Sequence, residues 1–378
     1  MTQTGRAIRV AVVGGGVLGV STAVHLARGD ADVRLVTETQ LASGASGRSL
    51  SWLNCSAAYS EPYCTLRLVG LERYRAFADR GGSTAVAGYL RMDGGLRWAA
   101  DGEADDLRGL HQHHLRTGYP SSWLLPDEVR ERVPGVDPAV VPAEGALFSP
   151  AEGWVDLPSL VADLANELVG LGGRIVTDTG RAEVEVSGDR VTAVTTASGD
   201  RLEVDAAVLA TGADVPRALR RVGITVPDAT APALLVRTTP VATPLRSVLN
   251  TPHVSMRPTP DGCLVMDAGW SEREVTTDDD GSYRVRDETV RRLLEEAAAV
   301  LVGGPRLTAA SYGVGPKPVP GDGEPVLGPV AGVAGYHVAF THSGATLGLV
   351  AGELLAQEVL TGEPSALLGP FRLDRFAA

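Results

Sequence analysis

The hydrophobic pattern near the amino terminus predicts a strand, a turn and a helix in immediate succession. An apolar run from Ile8 to Val13 leads into Gly14-Gly15-Gly16-Val17-Leu18-Gly19, after which apolar residues recur at helical spacing. A second apolar run, from Val33 to Thr37, ends at Glu38, 24 residues after Gly14. This order predicts a βαβ unit in which a glycine-rich turn joins the first strand to the helix.

The rest of the chain carries further helix and strand patterns and no internal repeat. Helical spacing predicts helices at Pro62–Ala78, Leu157–Leu171, Asp287–Val302 and Ala345–Leu360. Short apolar or alternating runs predict strands at Arg174–Thr177, Ala182–Val186, Arg190–Thr196, Arg201–Val204, Asp205–Leu209, Leu234–Thr238, Val254–Arg257, Cys263–Asp267 and Tyr336–Phe340. Residues 81–150 show no clear period and are predicted to form a separate, less regular region.

These patterns predict an α/β fold, α+β overall, with a Rossmann-like dinucleotide-binding domain and an antiparallel-sheet substrate domain. Segments with the βαβ pattern alternate along the chain with segments of antiparallel-strand pattern, and no linker separates them. Each domain is therefore expected to be discontinuous in sequence. The dinucleotide-binding domain is predicted to comprise residues 1–80, 151–232 and 313–378. The substrate domain is predicted to comprise residues 81–150 and 233–312.

Composition narrows the class of partner. The chain has 378 residues, is 44% hydrophobic and carries a formal net charge of −12. The acidic charge favours a small molecule as partner, with neither nucleic acid nor a membrane expected. A cytoplasmic location is expected because three glycines and His25 interrupt the apolar stretch Ile8–Ala27 and no signal-cleavage pattern follows it. The three cysteines, Cys55, Cys64 and Cys263, have no paired spacing, so neither a structural disulfide nor a zinc knuckle is predicted.

Two further residue types bear on the chemistry. Of 34 basic residues only Lys317 is a lysine. His111, His113 and His114 lie close together in sequence, but no i, i+4 pair, cysteine or acidic pattern completes a metal site. The histidines are interpreted as part of a solvated stretch, and no metal is expected.

The glycine-rich turn predicts a site for the pyrophosphate of a dinucleotide. Gly14 allows the tight turn, Gly16 lets the backbone approach the phosphates, and Gly19 lets the helix pack close to the strand. The anion would then lie at the helix N-terminus, where Val17 and Leu18 complete the predicted contact. The alternative is a glycine-rich turn without a ligand.

Glu38 extends this prediction to the ribose. An acid at the end of the second strand can hold a pair of ribose hydroxyls, and an acid in place of arginine argues against a 2′-phosphate. Strand, helix and acid together favour a bound dinucleotide over the empty turn.

Three separated segments carry a more specific pattern. The first is Val10–Ala27 with Glu38. The second contains Gly153–Asp156, the helix and strands after it, and Val208–Gly212. The third, residues 313–328, is Gly-Val-Gly-Pro-Lys-Pro-Val-Pro-Gly-Asp-Gly-Glu-Pro-Val-Leu-Gly. Together they resemble the FAD-dependent superfamily of D-amino-acid oxidase, glycine oxidase and sarcosine oxidase, whose third segment has the pattern G-x-R-P-x-x-x-D-G-x-P-x-x-G. The resemblance spans nearly the whole chain.

The resemblance implies FAD as the cofactor. The sarcosine-oxidase branch bonds its flavin through a cysteine in the third segment, and Gly315 stands at that position here, so non-covalent FAD is expected. The residues implied in cofactor binding are Gly14, Gly16, Val17, Leu18, Gly19, Glu38, Ser46, Gly47, Arg48, Val184, Thr211, Gly212, Gly344 and Thr346.

The resemblance also implies a substrate anchor. In the amino-acid oxidases the arginine of the third segment grips the substrate carboxylate, and counting back from Asp322 puts Lys317 at that position. Lysine is a point charge, whereas arginine offers a planar fork, so geometric selection of a carboxylate should be weaker. The alternative is a surface lysine in a loop of glycines and prolines.

In the sarcosine-oxidase branch a second lysine lies above the flavin and assists oxygen reduction. The strand where the resemblance would place it, Cys263–Asp267, contains no cationic residue. Arg257, across the turn, is the candidate stand-in, and the resemblance leaves oxygen open as electron acceptor. Arg257 shares one strand face with His253 and Ser255 by alternation, but the pattern does not decide which face points inward.

His342 and Trp52 are the other candidate catalytic residues. His342 could bind substrate or flavin or accept the amine proton, because imidazole titrates near neutral pH; the alternative is a structural capping histidine. Trp52 could wall the substrate cavity and attract an amine through its ring, and a core tryptophan is the alternative.

The expected function is oxidation of a C–N bond in a small amine or amino-acid-like substrate. Hydride transfer to flavin N5 would give an imine, with O2 or another acceptor receiving the electrons. An NAD-dependent Rossmann dehydrogenase and a flavoprotein with structural FAD and no turnover are the alternatives; a related aromatic hydroxylase fits less well, since Asp322 lies in a turn.

Overall fold

The structure is a computed structural model that describes residues 6–81, 84–100 and 102–376. The α-helices of these residues are α1 (Val17–Arg28), α2 (Glu61–Gly81), α3 (Thr84–Tyr89), α4 (Ala104–Thr117), α5 (Pro126–Arg132), α6 (Leu157–Gly170), α7 (Val215–Arg220), α8 (Gly269–Arg273), α9 (Asp287–Ala299) and α10 (Gly344–Thr361). Short 3₁₀ turns cover Ala45–Gly47, Pro138–Val140, Gly212–Asp214, Ala366–Phe371 and Leu373–Phe376.

The strands are β1 (Arg9–Val13), β2 (Asp32–Val36), β3 (Trp52–Leu53), β4 (Leu90–Arg91), β5 (Gly95–Arg97), β6 (Ser122–Leu124), β7 (Ala146–Ser149), β8 (Gly153–Val155), β9 (Arg174–Val176), β10 (Ala182–Ser187), β11 (Arg190–Thr196), β12 (Arg201–Glu203), β13 (Ala206–Leu209), β14 (Ala231–Thr238), β15 (Val248–Asn250), β16 (Ser255–Pro258), β17 (Leu264–Asp267), β18 (Thr276–Thr277), β19 (Tyr283–Arg284), β20 (Ala309–Lys317), β21 (Val326–Pro329) and β22 (Tyr336–Phe340). The predicted βαβ unit and the other predicted helices are confirmed to within a few residues at their ends.

The chain divides into two compact units, each built from discontinuous pieces. Unit 1 comprises residues 1–47, 157–231 and 316–378, and unit 2 comprises residues 48–156 and 232–315. The sequence placed residues 48–80, 151–156, 232 and 313–315 with the first unit, whereas the structure places them in unit 2. For the first two segments the reason is strand pairing, because β8 pairs with β4 (Val155 opposite Leu90) and also with β3 (Trp154 opposite Trp52), so both segments join the sheet that contains β4.

Unit 1 is organised around a six-stranded sheet with the order β21-β22-β13-β1-β2-β9. The sheet is parallel except at its edge, where β21 runs antiparallel to β22. Val12 at the centre pairs with Val208 on one side and Leu35 on the other. The inner strands β1, β13 and β22 are buried along almost their whole length and form continuous apolar runs, which is why the sequence predicted them, whereas the edge strand β21 was not predicted. The predicted three-strand meander is confirmed as a separate antiparallel sheet of β10, β11 and β12.

Close helix packing supports the first turn of unit 1. Helix α1 packs along α10, and a Cβ at Gly352 would lie 2.2 Å from Ser21 Oγ. Glycine at this crossing therefore lets the two backbones approach closely. A buried ion pair between Glu358 and Arg372 fixes the carboxyl end of α10.

Unit 2 contains an eight-stranded sheet with the order β20-β14-β17-β16-β15-β5-β7-β6. The predicted hairpin is confirmed, with Met256 of β16 opposite Met266 of β17. Both residues lie in an apolar core that also includes Leu249 and Leu293. The face of the hairpin strand that points into this core is therefore the one with Val254 and Met256.

The prediction of a less regular region at residues 81–150 is wrong. The segment contains α4 and α5 and contributes β5, β6 and β7 to the large sheet. Helix α4 escaped detection because it buries only Leu107 and His114, a stripe too sparse to give a helical period. Among the described residues, no helix has both the length and the apolar composition to cross a bilayer.

The interpretation of the three histidines as solvated is wrong for His114. Its side chain is 1% exposed and neither ring nitrogen has a hydrogen-bond partner in the described structure. Tyr119 packs edge-on at 4.8 Å between ring centroids. Burial lowers the pKa of His114 to about 4, with Arg97 acting in the same direction.

We expect this histidine to make stability depend on pH. The folded pKa lies below that of an unfolded histidine, about 6.5, so acid protonates the unfolded chain first. Stability from His114 is therefore intact above pH ~6.5 and falls by roughly 3 kcal/mol as the pH drops to about 4. Urea unfolding of wild type and His114→Leu at both ends of this range measures the effect. The variant should lose less stability in acid, whereas the half-buried His113→Leu control should follow wild type; equal slopes for all three would contradict the assignment.

Candidate active site

The turn between β1 and α1 can only be made with glycine. Gly14 has φ +123°, and a Cβ there would lie 2.3 Å from the carbonyl oxygen of Ala210. Its amide donates to Val36 O at 2.8 Å. The left-handed backbone and the lack of space both exclude a side chain. The turn therefore packs directly against the ends of β2 and β13.

The other two glycines of the motif have different tasks. A Cβ at Gly19 would lie 2.0 Å from Gly14 O, so its absence lets α1 pack against the turn. Gly16 precedes α1 with an extended backbone, and a Cβ there would meet only Ser46 Oγ, at 3.2 Å. Ser46 accepts a hydrogen bond from the amide of Val17 at 3.0 Å. Gly16 therefore leaves room beside the helix terminus for a ligand.

Two helix N-termini converge in unit 1. A Cβ at Gly344, the first residue of α10, would lie 3.7 Å from Val17 Cγ1 at the start of α1. Neither helix has an acidic side chain in its first turn. Their partial positive charges are thus not neutralised by the first-turn side chains and favour an anionic ligand.

Two threonines lie near these termini: Thr346 is part of α10, and the main-chain nitrogen of Thr211 would lie 3.1 Å from a Cβ at Gly14. Thr346, in the first turn of α10, is 1% exposed. Thr211, just after β13, has a buried hydroxyl without a hydrogen-bond partner in the described structure. An unpaired buried hydroxyl is uncommon in a native protein, and a bound polar ligand is one way to satisfy it.

The structure places the other predicted cofactor residues of unit 1 as follows. Glu38 lies just beyond β2 with its side chain mostly exposed, and Arg181 approaches it at 3.9 Å. Gly212 begins the turn after β13 with φ +59° and open space at its Cβ position. Val184 of β10 packs against the apolar core of unit 1. Gly47 is required for the loop itself, since a Cβ would lie 2.2 Å from Ala42 O.

Sequence reasoning missed one part of this turn. Gly15 occupies a position that the motif leaves free, yet a Cβ there would lie 2.7 Å from Thr37 Oγ1. Its carbonyl accepts the amide of Ala42 at 2.9 Å. Glycine is required at position 15 because Thr37 and the loop after β2 pack against it, and no sequence pattern indicates this contact.

Lys317 and His342 also belong to unit 1. Lys317 ends β20 and is partly buried. The chain just after it runs beside residues 227–230, with hydrogen bonds from Ala229 N to Val319 O at 2.9 Å and from Gly321 N to Pro227 O at 2.8 Å. His342 is exposed and lies two residues before α10.

Arg48 belongs to unit 2, where it crosses two glycines of β20. A Cβ at Gly313 would lie 2.9 Å from Arg48 Cδ, and a Cβ at Gly315 would lie 2.5 Å from Arg48 Nη2. Burial lowers the pKa of Arg48, opposed by Tyr283; a guanidinium nevertheless stays charged in proteins. The glycines therefore provide the space that this cation occupies, which explains why a glycine stands at position 315.

Trp52 is one edge of a buried polar cluster in unit 2. Its indole Nε1 donates to Glu152 Oε2 at 2.7 Å, and Tyr119 donates to Glu152 Oε1 at 2.9 Å. Arg97 lies over the Trp52 ring at 4.9 Å and donates to Ser56. Trp52 itself is only half-buried, so it is neither a fully buried core residue nor a freely rotating one.

Glu152 is the centre of this cluster and was missed by sequence reasoning. Its side chain is 1% exposed. Burial raises its pKa, while Arg97 and hydrogen bonds from Ser56, Tyr119 and Trp52 oppose the shift. A Cβ at Gly95 would lie 2.3 Å from its carboxylate oxygen, so glycine also makes space for this acid.

Arg257 is fully buried in unit 2, with its donors directed to protein groups. Nε donates to Leu50 O at 2.5 Å and Nη1 to Pro258 O at 3.0 Å, while Asp156 lies 3.6 Å from Nη2. Its guanidinium lies over the Trp154 ring at 5.0 Å. Burial lowers its pKa to about 10, opposed by Asp156, so it remains a cation at neutral pH. These contacts support a structural role; the catalytic role of Arg257 stays a prediction.

Comparison with known proteins gives a consistent result. The family model for FAD dependent oxidoreductases matches residues 9–358. Glycine oxidase from Geobacillus kaustophilus is 28% identical over 97% of this chain and 96% of that protein. The crystal structure of glycine oxidase from the same organism matches with a TM-score of 0.82 at 26% identity, over 98% of this chain and 99% of that one.

Other relatives extend this range. D-amino acid dehydrogenase from Allorhizobium ampelinum is 26% identical over 98% of this chain and 99% of that protein. L-amino acid deaminase from Proteus myxofaciens has a TM-score of 0.83 at 19% identity, over 100% of this chain and 95% of that one. At that identity the likeness supports the fold alone.

Proposed function

The chain belongs to the family of FAD dependent oxidoreductases, and we propose that it oxidises the C–N bond of a small amino acid or related amine. FAD is therefore its cofactor, which favours this function over that of an NAD-dependent dehydrogenase. Residues 313–328 contain no cysteine, so the third segment offers no thiol for a covalent link and FAD is bound non-covalently.

The described residues of unit 1 fit this cofactor. Gly14, Gly16 and Gly19 shape the turn for a pyrophosphate, and Glu38 supplies the acid for a ribose. The convergence of the α1 and α10 N-termini is the observation that carries the proposal. It offers two positive helix ends to a ligand with anionic groups.

The substrate class rests on relatives that match this chain over nearly its full length. Both the glycine oxidase and the D-amino acid dehydrogenase act on amino acids. FAD, when bound, accepts two electrons as a hydride from the carbon that carries the amine. The imine that remains is hydrolysed by water to a carbonyl compound and ammonia or an amine.

The chain's own residues would orient the substrate. We propose that Lys317 binds an acidic group of the substrate and that His342 hydrogen-bonds the substrate or receives the amine proton. Backbone amides at the start of α10 would stabilise negative charge at the cofactor edge. Such a site works mainly by positioning and electrostatics rather than through a strong base.

An anaerobic titration tests the function directly. The purified yellow protein is titrated with glycine, sarcosine, D-amino acids and other N-substituted glycines while the flavin absorbance is followed. At least one compound should bleach the flavin completely. Protein without flavin would contradict the cofactor, and flavin that no compound bleaches would indicate a structural cofactor without turnover. The rate of oxygen consumption is then compared with the rate of reduction of an artificial electron acceptor. Fast oxygen consumption indicates an oxidase, and reduction of the artificial acceptor alone indicates a dehydrogenase.

Replacing Lys317 tests the proposed anchor. Lys317→Met should raise KM for carboxylate substrates about 10- to 100-fold, since a charged hydrogen bond is lost, with a smaller change in kcat. Lys317→Arg should retain most of the affinity. Arg220→Met, which removes an exposed cation of the same unit, is the control. Equal KM values for wild type and Lys317→Met would exclude the anchor role.

A further inference from the structure

Two cysteines that are nine residues apart in sequence meet in unit 2. The sulfur atoms of Cys55 and Cys64 lie 2.9 Å apart, and both are free thiols. Cys55 lies in the loop after β3 and is 2% exposed, whereas Cys64 lies in the first turn of α2 and is partly exposed. The separation is within the van der Waals contact distance of two sulfurs, so little movement is needed to join them.

The backbone around each cysteine is held in place. The amide of Cys55 donates to the Tyr119 hydroxyl at 3.2 Å. The amide of Cys64 donates to Ser60 O at 2.8 Å. Each sulfur is thus presented to the other by a fixed part of the chain.

Arg67 clamps the two segments together. Arg67 lies in α2, about one turn after Cys64. Its guanidinium donates to Asn54 O at 3.0 Å and to Asn54 Oδ1 at 2.8 Å. The same guanidinium lies over the Tyr59 ring at 4.2 Å. The arginine therefore joins the residue before Cys55 to the helix that carries Cys64, which raises the effective concentration of one thiol near the other.

We propose that Cys55 and Cys64 form a reversible dithiol–disulfide site that is oxidised by hydroperoxides. The Cys64 thiolate attacks one peroxide oxygen, the O–O bond breaks, and a sulfenic acid and hydroxide form. The Cys55 sulfur then attacks the sulfenic sulfur, the S–S bond forms and the S–O bond breaks. The Cys55 proton leaves with the hydroxide as water. Two thiols and one hydrogen peroxide thus give one disulfide and two waters, and a dithiol reductant reverses the change.

The different surroundings of the two sulfurs set the order of the steps. Burial raises the pKa of the Cys55 thiol, and the adjacent Cys64 adds to this shift, with Arg67 opposing it. Cys55 therefore stays protonated and protected from solvent. The partly exposed Cys64 is the sulfur that a peroxide reaches first, and Cys55 is the resolving thiol.

Thiol counting and mass spectrometry of the complete protein test this site. After treatment with hydrogen peroxide, wild type should lose two titratable thiols and about 2 Da, and a digest should contain a Cys55–Cys64 cross-linked peptide. Dithiothreitol should restore both thiols. Cys263→Ser, which removes the third and buried cysteine, should behave like wild type, and Cys64→Ser should form no intramolecular disulfide.

A comparison with unfolded protein shows whether the fold causes the reaction. Cross-linking in the native protein should be at least about ten times faster than in concentrated guanidinium chloride, because unfolding removes the alignment. Overoxidation of Cys64 to a sulfinic acid without a cross-link, or a reaction at Cys263 alone, would overturn the proposal. The peroxide is added, so the result does not depend on turnover or on the proposed substrate.

Discussion

Gly14→Ala is expected to weaken FAD binding more than ~100-fold. The added Cβ would lie 2.3 Å from Ala210 O at a backbone conformation with φ +123°. Both the clash with a main-chain atom and the positive φ must be relieved by moving the turn away from β13. We expect a loss of at least about 3 kcal/mol of stability and a more than ~100-fold weaker affinity for FAD. Flavin absorbance per protein after reconstitution, together with urea unfolding, measures both.

A second variant separates binding from folding. Gly16 already has the extended backbone that alanine adopts, and its Cβ would meet only Ser46 Oγ, at 3.2 Å. Gly16→Ala should therefore fold normally but bind FAD roughly 10- to 100-fold more weakly, because the methyl group occupies the space that the phosphates need. Gly44→Ala, where a Cβ meets nothing within 4 Å, is the matched control. Normal FAD affinity in folded Gly16→Ala would show that the dinucleotide lies elsewhere.

Glu152→Ala is expected to destabilise the protein by about 3–5 kcal/mol and to release Trp52. The substitution removes the acceptor of Trp52 Nε1 and of the Tyr119 hydroxyl and leaves Arg97 near a cavity. Buried donors that lose their acceptor are costly because water cannot replace it. Urea unfolding measures the stability, and tryptophan fluorescence reports the change around Trp52.

Glu152→Gln separates the hydrogen bonds of this side chain from its charge. The amide keeps the volume and one acceptor oxygen, so this variant should cost less than half as much stability as the alanine variant. Glu144→Ala, which removes an exposed acid of unit 2, should leave stability within about 0.5 kcal/mol of wild type. If the glutamine and alanine variants unfold alike, the hydrogen bonds to Trp52 and Tyr119 are not the source of the stability.

The parts of the fold that sequence predicted well are those whose cause is local. The strand before Gly14, the turn and helix α1 each leave a pattern within a few residues, because parallel strands are continuously apolar and the turn admits only glycine. The same holds for the hairpin of β16 and β17 and for the meander. Helix α4 was missed because its buried stripe contains only Leu107 and His114, and periodicity needs more apolar positions than that.

The residues of the candidate site likewise differ in whether their role follows from local sequence or from contacts between remote segments. The glycines of the first turn follow from a motif, whereas the need for glycine at position 15 and the packing of Arg48 across Gly315 depend on chain segments that are remote in sequence. The sequence left open whether the strand face that carries Arg257 points inward, because its burial and its bonds to Leu50 and Asp156 arise only when the segments of unit 2 assemble.

The sequence by itself determined that this chain opens with a dinucleotide turn and resembles FAD-dependent amino-acid oxidases. Both conclusions rest on residues whose spacing is dictated by the backbone of one short segment at a time. Only the tertiary structure decided which polar residues are buried together: Glu152 with Trp52, and Cys55 with Cys64. The physical reason is that these contacts form between segments whose proximity is set by sheet pairing and core packing, and no local periodicity encodes that proximity.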